Sequence, residues 1–155
     1  MPARNLLVVA HAPSENARKL VEAVVHGASA PEIEAVELRF RGAFDAVAED
    51  VLWAHAVILG TTENFGYMSG ALKDFFDRVY YSCLENTPGL PYAMFIRAGN
   101  DGTGAQQSIE RIVAGLQWKR VQEPVICAGE FRDDFVKSCA ELGMTIAAGL
   151  DAGVF

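Results

Sequence analysis

The fold is decided by a short apolar stretch near the start of the chain, Asn5-Leu6-Leu7-Val8-Val9-Ala10. A run of this length without polar alternation is typical of a strand that is buried on both faces, as in a parallel sheet covered by helices. Directly after it, apolar residues recur at spacings of three and four from Ala17 to Ala28, which predicts an amphipathic helix ending near Gly27. The two segments together predict a βα unit.

The alternation of strand and helix continues along the chain. Val36, Leu38 and Phe40 alternate with charged residues, which indicates a half-exposed strand near a sheet edge. The remaining pattern predicts, in order, a weaker helix at 43–53, a buried strand at 56–60, a helix at 72–83, a strand at 91–96, a helix at 109–116, a strand at 124–128 and a helix at 135–146. We therefore predict an α/β fold, a three-layer α/β/α sandwich around a five-stranded parallel sheet of order 2-1-3-4-5.

Length and composition limit the classes of protein that fit. The 155 residues suit a single domain, 1–155, and an apolar fraction of 51% excludes an intrinsically disordered chain. The formal net charge of -7 disfavours binding to nucleic acid or an anionic membrane, because both rely on basic side chains. No apolar run approaches the roughly 18 residues that span a bilayer, so we expect no membrane span and a cytoplasmic protein. The scattered cysteines and histidines indicate neither a disulfide framework nor a metal site.

Three loops enriched in Gly, Ser, Thr and Asn follow the first, third and fourth predicted strands, at 11–16, 61–66 and 97–104. In sheets of this order, ligands bind beyond the carboxyl ends of the strands, where the winding reverses between strands 1 and 3. We therefore expect the functional site in these loops.

The first loop, His11-Ala12-Pro13-Ser14-Glu15-Asn16, leads from a strand into a helix. The free amides and positive dipole end of such a junction favour an anion, and Ser14 and Asn16 add side-chain donors suited to a phosphate. His11 is a candidate contact to the phosphate or to an attached ring. The alternative for Ser14 is a simple N-cap.

The second loop brings Phe65 and Tyr67 close to backbone amides and to Gly66. A flat heteroaromatic ring needs this combination, because aromatic side chains hold its faces and amides hold its polar edge. The alternative is that both aromatic side chains pack into the core.

The stretch from Gly60 to Arg78 resembles the flavodoxin-like superfamily, and most of all its short flavodoxin family proteins and NAD(P)H-dependent FMN or quinone reductases. These show a G-T-P-x-x-x-G-x-x-(S/A)-G-x-L-K-x-F-x-D-R pattern. The chain matches it at Gly60, Thr61, Gly66, Ser69, Gly70, Leu72, Lys73, Phe75, Asp77 and Arg78, and has Thr62 in place of the proline. The resemblance implies a flavodoxin-like fold and non-covalent FMN.

The first loop is similar to the phosphate loop of the same family, S-x-T-G-N-T, with Ser14 and Asn16 at the central Thr and the Asn. Ala12, Glu15 and Ala17 depart from the pattern. Two hydroxyl donors are lost and a carboxylate is added, so we expect modest phosphate affinity unless Glu15 points into solvent.

The third loop, Arg97-Ala98-Gly99-Asn100-Asp101-Gly102-Thr103-Gly104, matches the second ring-contacting loop of the family in position. It contains no aromatic residue, which favours an open ring face on which a nicotinamide or a quinone stacks. Arg97 is a candidate to oppose the negative charge of reduced flavin at N1 and the C2 carbonyl. The alternative is a solvated surface arginine.

The resemblance implies a set of cofactor-binding residues in the three loops and no catalytic side chain. The set is His11, Pro13, Ser14, Glu15, Asn16, Ala17, Thr61, Thr62, Glu63, Asn64, Phe65, Gly66, Tyr67, Arg97, Ala98, Gly99, Asn100, Asp101 and Gly102. It also implies an FMN-dependent oxidoreductase that takes electrons from NAD(P)H, with a small-molecule donor or acceptor or a redox protein as partner, and it allows a homo-oligomer. Two alternatives stay open: a flavodoxin that carries single electrons to a basic partner, and a flavin-free binding module with a decayed phosphate loop.

Overall fold

Strands and helices alternate along residues 2–155, the part of the chain that the computed structural model describes. In chain order the elements are β1 (Arg4–Ala10), α1 (Glu15–Ala28), β2 (Val36–Gly42), α2 (Ala48–Trp53), β3 (Ala56–Asn64), β4 (Tyr67–Met68), α3 (Gly70–Cys83), β5 (Pro91–Ala98), α4 (Thr103–Gly115), β6 (Lys119–Arg120), β7 (Val125–Ala128) and α5 (Asp133–Asp151). None of these helices is long and apolar enough to cross a membrane.

The sheet confirms the predicted strand order. β2, β1, β3 and β5 lie side by side and parallel, and the short strands β6 and β7 both pair with β5. β6 and β7 together occupy the fifth position, which the sequence assigned to one strand at 124–128. The order 2-1-3-4-5 therefore holds, with its last strand divided.

Helices cover both faces of the sheet. On one face, Leu7 and Val9 of β1 belong to the core formed with α2, α3 and α4. On the other face, Leu6 and Val8 belong to the core formed with α1 and α5. Both faces of β1 are thus buried, which explains its unbroken apolar sequence.

The helix predicted at 43–53 begins only at Ala48, so this prediction was wrong over its first five residues. The carbonyls of Ala43 and Ala46 accept hydrogen bonds from the Arg78 guanidinium at 2.8 and 2.7 Å. The carboxylate of Asp50 accepts from the amide of Val47 at 3.0 Å, which caps the helix at that point. Contacts distant in sequence and a local cap therefore hold 43–47 outside the helix.

The loop predicted at 61–66 is a hairpin. β3 continues to Asn64, and β4 returns antiparallel to it through the pairs Glu63–Met68 and Asn64–Tyr67. The two residues at the tip, Phe65 and Gly66, have φ of 53° and 71°. Positive φ at both central residues is what a type I′ turn requires, and this turn matches the twist of the paired strands.

The loop predicted at 97–104 is shorter than expected. β5 runs to Ala98 and α4 begins at Thr103, which leaves only 99–102 as a connection. Gly102 has a φ of 74° and precedes the first turn of α4, where its missing side chain leaves room for Ile126.

Candidate functional site

The three loops meet at the carboxyl edge of the parallel strands. The amide of His11 donates to the carbonyl of Gly60 at 3.1 Å, which joins the first loop to the end of the buried part of β3. Thr62 of β3 lies beside Arg97 of β5 in the strand register. The segments that the sequence singled out therefore form one continuous edge.

The first loop presents the N-terminus of α1. The Ser14 side chain accepts from the amide of Ala17 at 3.2 Å, which confirms that Ser14 is the N-cap. Within residues 2–155 the amides of Glu15 and Asn16 reach no acceptor, as expected for the first turn of a helix. A cap and an anion site coexist here, because the hydroxyl satisfies one donor and leaves the others free.

Glu15 does not block this helix end. Its side chain is exposed and forms no ion pair in the described part of the chain. Pro13 is also exposed, whereas Ala17 lies on the buried face of α1. The phosphate position is therefore open to solvent, and the Glu15 carboxylate lies next to it along the chain.

His11 is directed toward β2 and away from the hairpin. Its imidazole packs edge to face on Phe44, with 5.9 Å between the ring centroids, and Phe44 follows β2. Both rings line a cavity of about 360 Å³ together with Arg18 and Phe40. The cavity adjoins the first loop on its β2 side, whereas the β3–β4 hairpin lies on the other side of β1.

The side chain of Thr61 is buried and forms hydrogen bonds within the protein. Its hydroxyl lies 3.0 Å from that of Ser69 and accepts from the Ser69 amide at 2.9 Å, with both residues buried. Ser69 in turn accepts from the amide of Leu72 and caps α3. The Thr61 side chain thus fixes the start of α3, and only the neighbouring part of the hairpin faces outward.

The hairpin is fastened to α4 by three contacts. The Glu63 carboxylate accepts from the amide of Ala105 at 3.2 Å, in the first turn of α4. The amide of Met68 donates to the Ser108 hydroxyl at 3.1 Å. A Cβ at Gly104 would stand 2.0 Å from the carbonyl oxygen of Gly66, so a side chain there is excluded.

These contacts explain two residues that sequence reasoning missed. Ser108 and Gly104 lie in α4 and were not among the predicted site residues. Serine within an amphipathic helix gives no signal of its own, and Gly104 resembled a loop glycine. Their role depends on the β3–β4 hairpin, which the sequence pattern did not predict.

The two aromatic residues of the hairpin occupy different places. Phe65 at the tip is 107% exposed relative to a free residue, and Tyr67 is 41% exposed. Tyr67 lies along α4, where it lines a cavity of about 190 Å³ with Arg111 and Ile112. Burial of these rings in the core is therefore wrong, and Phe65 is the aromatic side chain at the tip that is free to stack.

Thr62 and Asn64 are the outward polar residues of the hairpin. The Thr62 hydroxyl lies 3.1 Å from the Asn64 side-chain oxygen, and Asn64 is exposed. Their polar groups lie at the carboxyl end of β3, which suits contacts to a polar ligand.

Arg97 contacts backbone and aromatic groups at the end of β5. Its Nη1 donates to the carbonyls of Ala98 and Cys127 at 2.8 and 2.9 Å. The guanidinium also lies 5.7 and 5.8 Å from the ring centroids of Phe131 and Phe135. A fully solvated arginine is therefore the wrong description, because Arg97 ties β5 to β7 and to the start of α5.

The third loop is capped and otherwise exposed. The Asp101 carboxylate accepts from the amide of Thr103 at 3.0 Å, and the hydrogen bonds from this residue hold the pKa of Asp101 below its usual value. Gly99 and Asn100 are exposed, and Ala98 is buried at the end of β5. Residues 99–102 include no aromatic side chain.

Comparison with known proteins identifies the family of the chain. Residues 11–133 match the family model described as NADPH-dependent FMN reductase. The match covers most of the chain and includes all three loops. The chain belongs to this family.

A curated protein shares sequence with much of the chain. A protein named flavodoxin from Aquifex aeolicus (strain VF5) is 31% identical over 111 residues, 72% of this chain. The matched region spans 59% of that protein, so the chain corresponds to about three fifths of the relative.

Solved structures show the same fold. A flavodoxin from the domain Archaea superposes with a TM-score of 0.76 at 20% identity, covering 94% of this chain and 98% of the other. The apo form of an NADH:FMN oxidoreductase superposes with a TM-score of 0.72 at 11% identity, covering 95% and 90%. At these identities the likeness establishes a flavodoxin-like fold, as predicted.

Proposed function

We propose that this chain binds FMN across the shared edge of the three loops and uses it as an NAD(P)H-dependent oxidoreductase. The observation that carries the proposal is one arrangement: the open N-terminus of α1 and the exposed Phe65 hairpin stand on neighbouring parallel strands, joined by the bond from His11 to Gly60. The N-terminus of α1 suits a phosphate, and the hairpin with Phe65 suits a flat ring.

The donors of the first loop fit the phosphate. The amides of Glu15 and Asn16 have no protein acceptor in residues 2–155, and the dipole of the 14-residue helix α1 favours negative charge there. Asn16 is half-buried at the first turn and supplies a side-chain amide. Glu15 opposes the phosphate through its charge, so we expect affinity below that of a site without a carboxylate.

The hairpin and the third loop fit the ring. Phe65 offers an exposed face for stacking, while Thr62, Asn64 and the backbone of 99–101 offer donors and acceptors for its polar edge. The contacts from Glu63 and Ser108 to α4 hold this hairpin in place before any ligand arrives. A preformed hairpin lowers the ordering cost of binding.

When bound, FMN supplies hydride and single-electron transfer, and the protein supplies binding, orientation and electrostatics. In the third loop no aromatic side chain covers the ring position, which leaves space for a nicotinamide or a quinone. This open side favours a reductase that passes electrons to a quinone or a similar acceptor.

A second candidate function is a one-electron carrier. The flavodoxin from Aquifex aeolicus supports it, as does the net charge of -7, which steers a carrier toward a basic redox partner. The third alternative, a module that binds no flavin, rests on the substitutions Ala12, Glu15 and Ala17 in the phosphate loop.

Binding is tested by titrating FMN with the protein and following flavin fluorescence. We expect saturable quenching, and about tenfold weaker binding for Phe65→Ala because a stacking partner is lost. Tyr81→Ala is the matched control, since Tyr81 is an exposed aromatic residue (84%) on α3 outside the site. Absence of quenching by the wild-type protein supports the flavin-free module.

Activity is tested by anaerobic mixing of the FMN-loaded protein with NADPH or NADH. Rapid loss of the flavin absorbance with either donor, reversed by a quinone, supports the reductase. Slow or absent reduction by both donors, together with a stable one-electron state on chemical reduction, supports the carrier instead.

A further inference from the structure

Strand β2 leaves one side of the sheet open. It pairs with β1 along its whole length, from Arg4–Val36 to Ala10–Gly42. No strand within residues 2–155 pairs with its other side. An unpaired edge of this length is a template for another strand.

The hydrogen bonds at the two ends of β2 show which residues face outward. The carbonyl of Ala35 accepts from Arg4 at 2.8 Å, and the amide of Ala43 donates to Ala10 at 3.0 Å, so the odd-numbered residues face β1. Residues alternate along a strand, and Leu38 and Phe40 therefore present their amides and carbonyls to the open side. The carbonyl of Phe40 accepts from the Arg41 side chain at 3.1 Å, which confirms its outward direction.

The sequence of this edge is complementary to itself. Around Arg39 it reads Glu37-Leu38-Arg39-Phe40-Arg41. In an antiparallel pair centred on Arg39, Glu37 of each copy stands opposite Arg41 of the other, and Leu38 stands opposite Phe40. This pairing places an acidic side chain opposite a basic one and an apolar side chain opposite another apolar one.

We propose that two copies of this chain pair antiparallel through β2, with the two-fold axis at Arg39, and form a dimer with one continuous sheet. The outward groups of Leu38 and Phe40 then exchange their hydrogen bonds. Glu37 and Arg41 fall in the pair without hydrogen bonds, where Cα atoms are closest and side chains meet best.

Arg39 is the one residue that meets its own copy, and its charge is already balanced. Its Nη1 lies 3.1 Å from the buried carboxylate of Asp50, and its guanidinium lies 3.8 Å from the ring centroid of Trp53. Arg41 is 3.5 Å from the same carboxylate with 43% of its side chain exposed. Arg41 therefore has the freedom to turn toward Glu37 of the second copy while Arg39 keeps Asp50.

The exposed apolar residues are concentrated at this edge. Of the nine large apolar side chains that are exposed in residues 2–155, four lie between 40 and 52: Phe40, Phe44, Val47 and Leu52. Phe40 lies on the open strand itself, and a large apolar side chain exposed on an unpaired edge strand favours pairing with another strand. The proposal is independent of FMN, because β2 lies on the far side of β1 from the hairpin.

The oligomeric state tests the proposal by light scattering after gel filtration. The wild-type protein is expected at twice the chain mass of 16.8 kDa, and Phe40→Lys, which blunts the edge with a charge, at the mass of one chain. Tyr81→Lys places the same charge on an exposed aromatic residue of α3 and is expected to stay dimeric.

Charge exchange tests the register. Glu37→Arg sets Arg against Arg in its own dimer, and Arg41→Glu sets Glu against Glu, so each variant is expected to dimerise about tenfold or more weakly than wild type. Mixed together, the two variants restore both attractive pairs and are expected to form a heterodimer. Circular dichroism shows whether each variant is folded.

Several results overturn the proposal. They are a wild-type monomer at all concentrations reached, a dimer that Phe40→Lys leaves intact, and folded charge variants whose mixture stays monomeric. The first two outcomes do not require either charge variant to fold.

Discussion

At the scale of single residues, several positions of the motif shared with the family stabilise the fold through packing, helix capping and hydrogen bonds to the backbone. A Cβ on Gly60 would stand 2.2 Å from the ring of Phe95, so only glycine lets β3 and β5 pack here. Ser69 caps α3, and Arg78 holds the two carbonyls of 43–47. The residues that carry the family motif therefore hold the backbone around the proposed site, and the proposed ligand contacts lie at other positions beside them.

Glu15 is the residue with the clearest expected effect on the ligand. Replacing it with Gln removes a negative charge beside the proposed phosphate and keeps the size of the side chain. We expect FMN to bind about fivefold more tightly at low salt, with the gain shrinking as salt screens the charge. Fluorescence titration measures this, and Glu22→Gln, an exposed residue two turns along α1, is the control. Equal affinities for Glu15→Gln and wild type would place the phosphate elsewhere.

His55 gives a pH dependence of stability. Its Nδ1 accepts from the amide of Asn5 at 2.8 Å, and burial, with the charge of Arg4, lowers the pKa of His55 from 6.5. The folded protein therefore binds this proton less readily than the unfolded chain. Its stabilising contribution is complete above pH 6.5 and is lost as the pH falls through the lowered pKa.

Removing His55 tests this directly by denaturant unfolding at several pH values. At pH above 7, we expect His55→Gln to be about 1 kcal/mol less stable than wild type, because a hydrogen bond is lost. The difference in unfolding free energy should narrow as the pH falls toward 5. A difference that is constant with pH would show that protonation of His55 does not matter, and His26→Gln controls for the general effect of losing a histidine.

At the scale of elements, the hairpin and α4 act as one unit. The contact of Gly104 with Gly66 and the bonds from Glu63 and Ser108 place the hairpin tip relative to the third loop. The Glu63 carboxylate also sits at the positive end of the α4 dipole, which stabilises both elements. The hairpin and the third loop are therefore coupled by contacts within the protein itself.

Substitution of Gly104 tests this coupling. Ala is the better helix former, yet its Cβ would collide with the Gly66 carbonyl, so Gly104→Ala has to displace the hairpin. We expect FMN affinity to fall about tenfold or more and the protein to lose stability. Gly70→Ala, also in the first turn of a helix but with no atom within 4 Å of the added Cβ, should leave both unchanged. The idea fails if the two variants behave alike.

Ser108 tests the same unit from the other side. Ser108→Ala leaves the buried amide of Met68 without an acceptor, which we expect to cost about 1–3 kcal/mol of unfolding free energy. In hydrogen-exchange measurements, Ser108→Ala should increase the exchange rates of the Met68 amide and the hairpin amides relative to wild type, and should leave those of β1 unchanged. Unchanged protection of the Met68 amide would mean that Ser108 does not hold the hairpin.

At the scale of the whole molecule, the sheet could be predicted because its inner strands are buried on both faces. A short, uninterrupted apolar run such as that of β1 is typical of a strand buried on both faces. The alternation of apolar and charged residues in β2 correctly predicted a strand at the sheet edge. Details that depend on tertiary contacts could not be read in this way. The hairpin turn uses Phe65 and Gly66 where a stronger signal would be Asn-Gly, and β6 is only two residues long.

The three loops lie at one edge of the sheet, as the strand order predicts, whereas the partners of individual side chains could not be predicted. Thr61 and Arg97 lie in the expected segments, but their polar groups are used by Ser69 and by the carbonyls of Ala98 and Cys127. Such partners come from distant parts of the sequence, so no local pattern reveals them. For the same reason, the sequence could not show which of Phe65 and Tyr67 is exposed at the hairpin tip.

The central claim is that the three loops form one FMN site, and an amide NMR titration of the ¹⁵N-labelled protein with FMN tests it most directly. We predict that the amides of 14–16, 62–66 and 98–102 shift together with one binding constant, while those around Arg18 and Phe44 at the 360 Å³ cavity move little. Shifts confined to that cavity, or separate constants for the separate loops, would contradict the account.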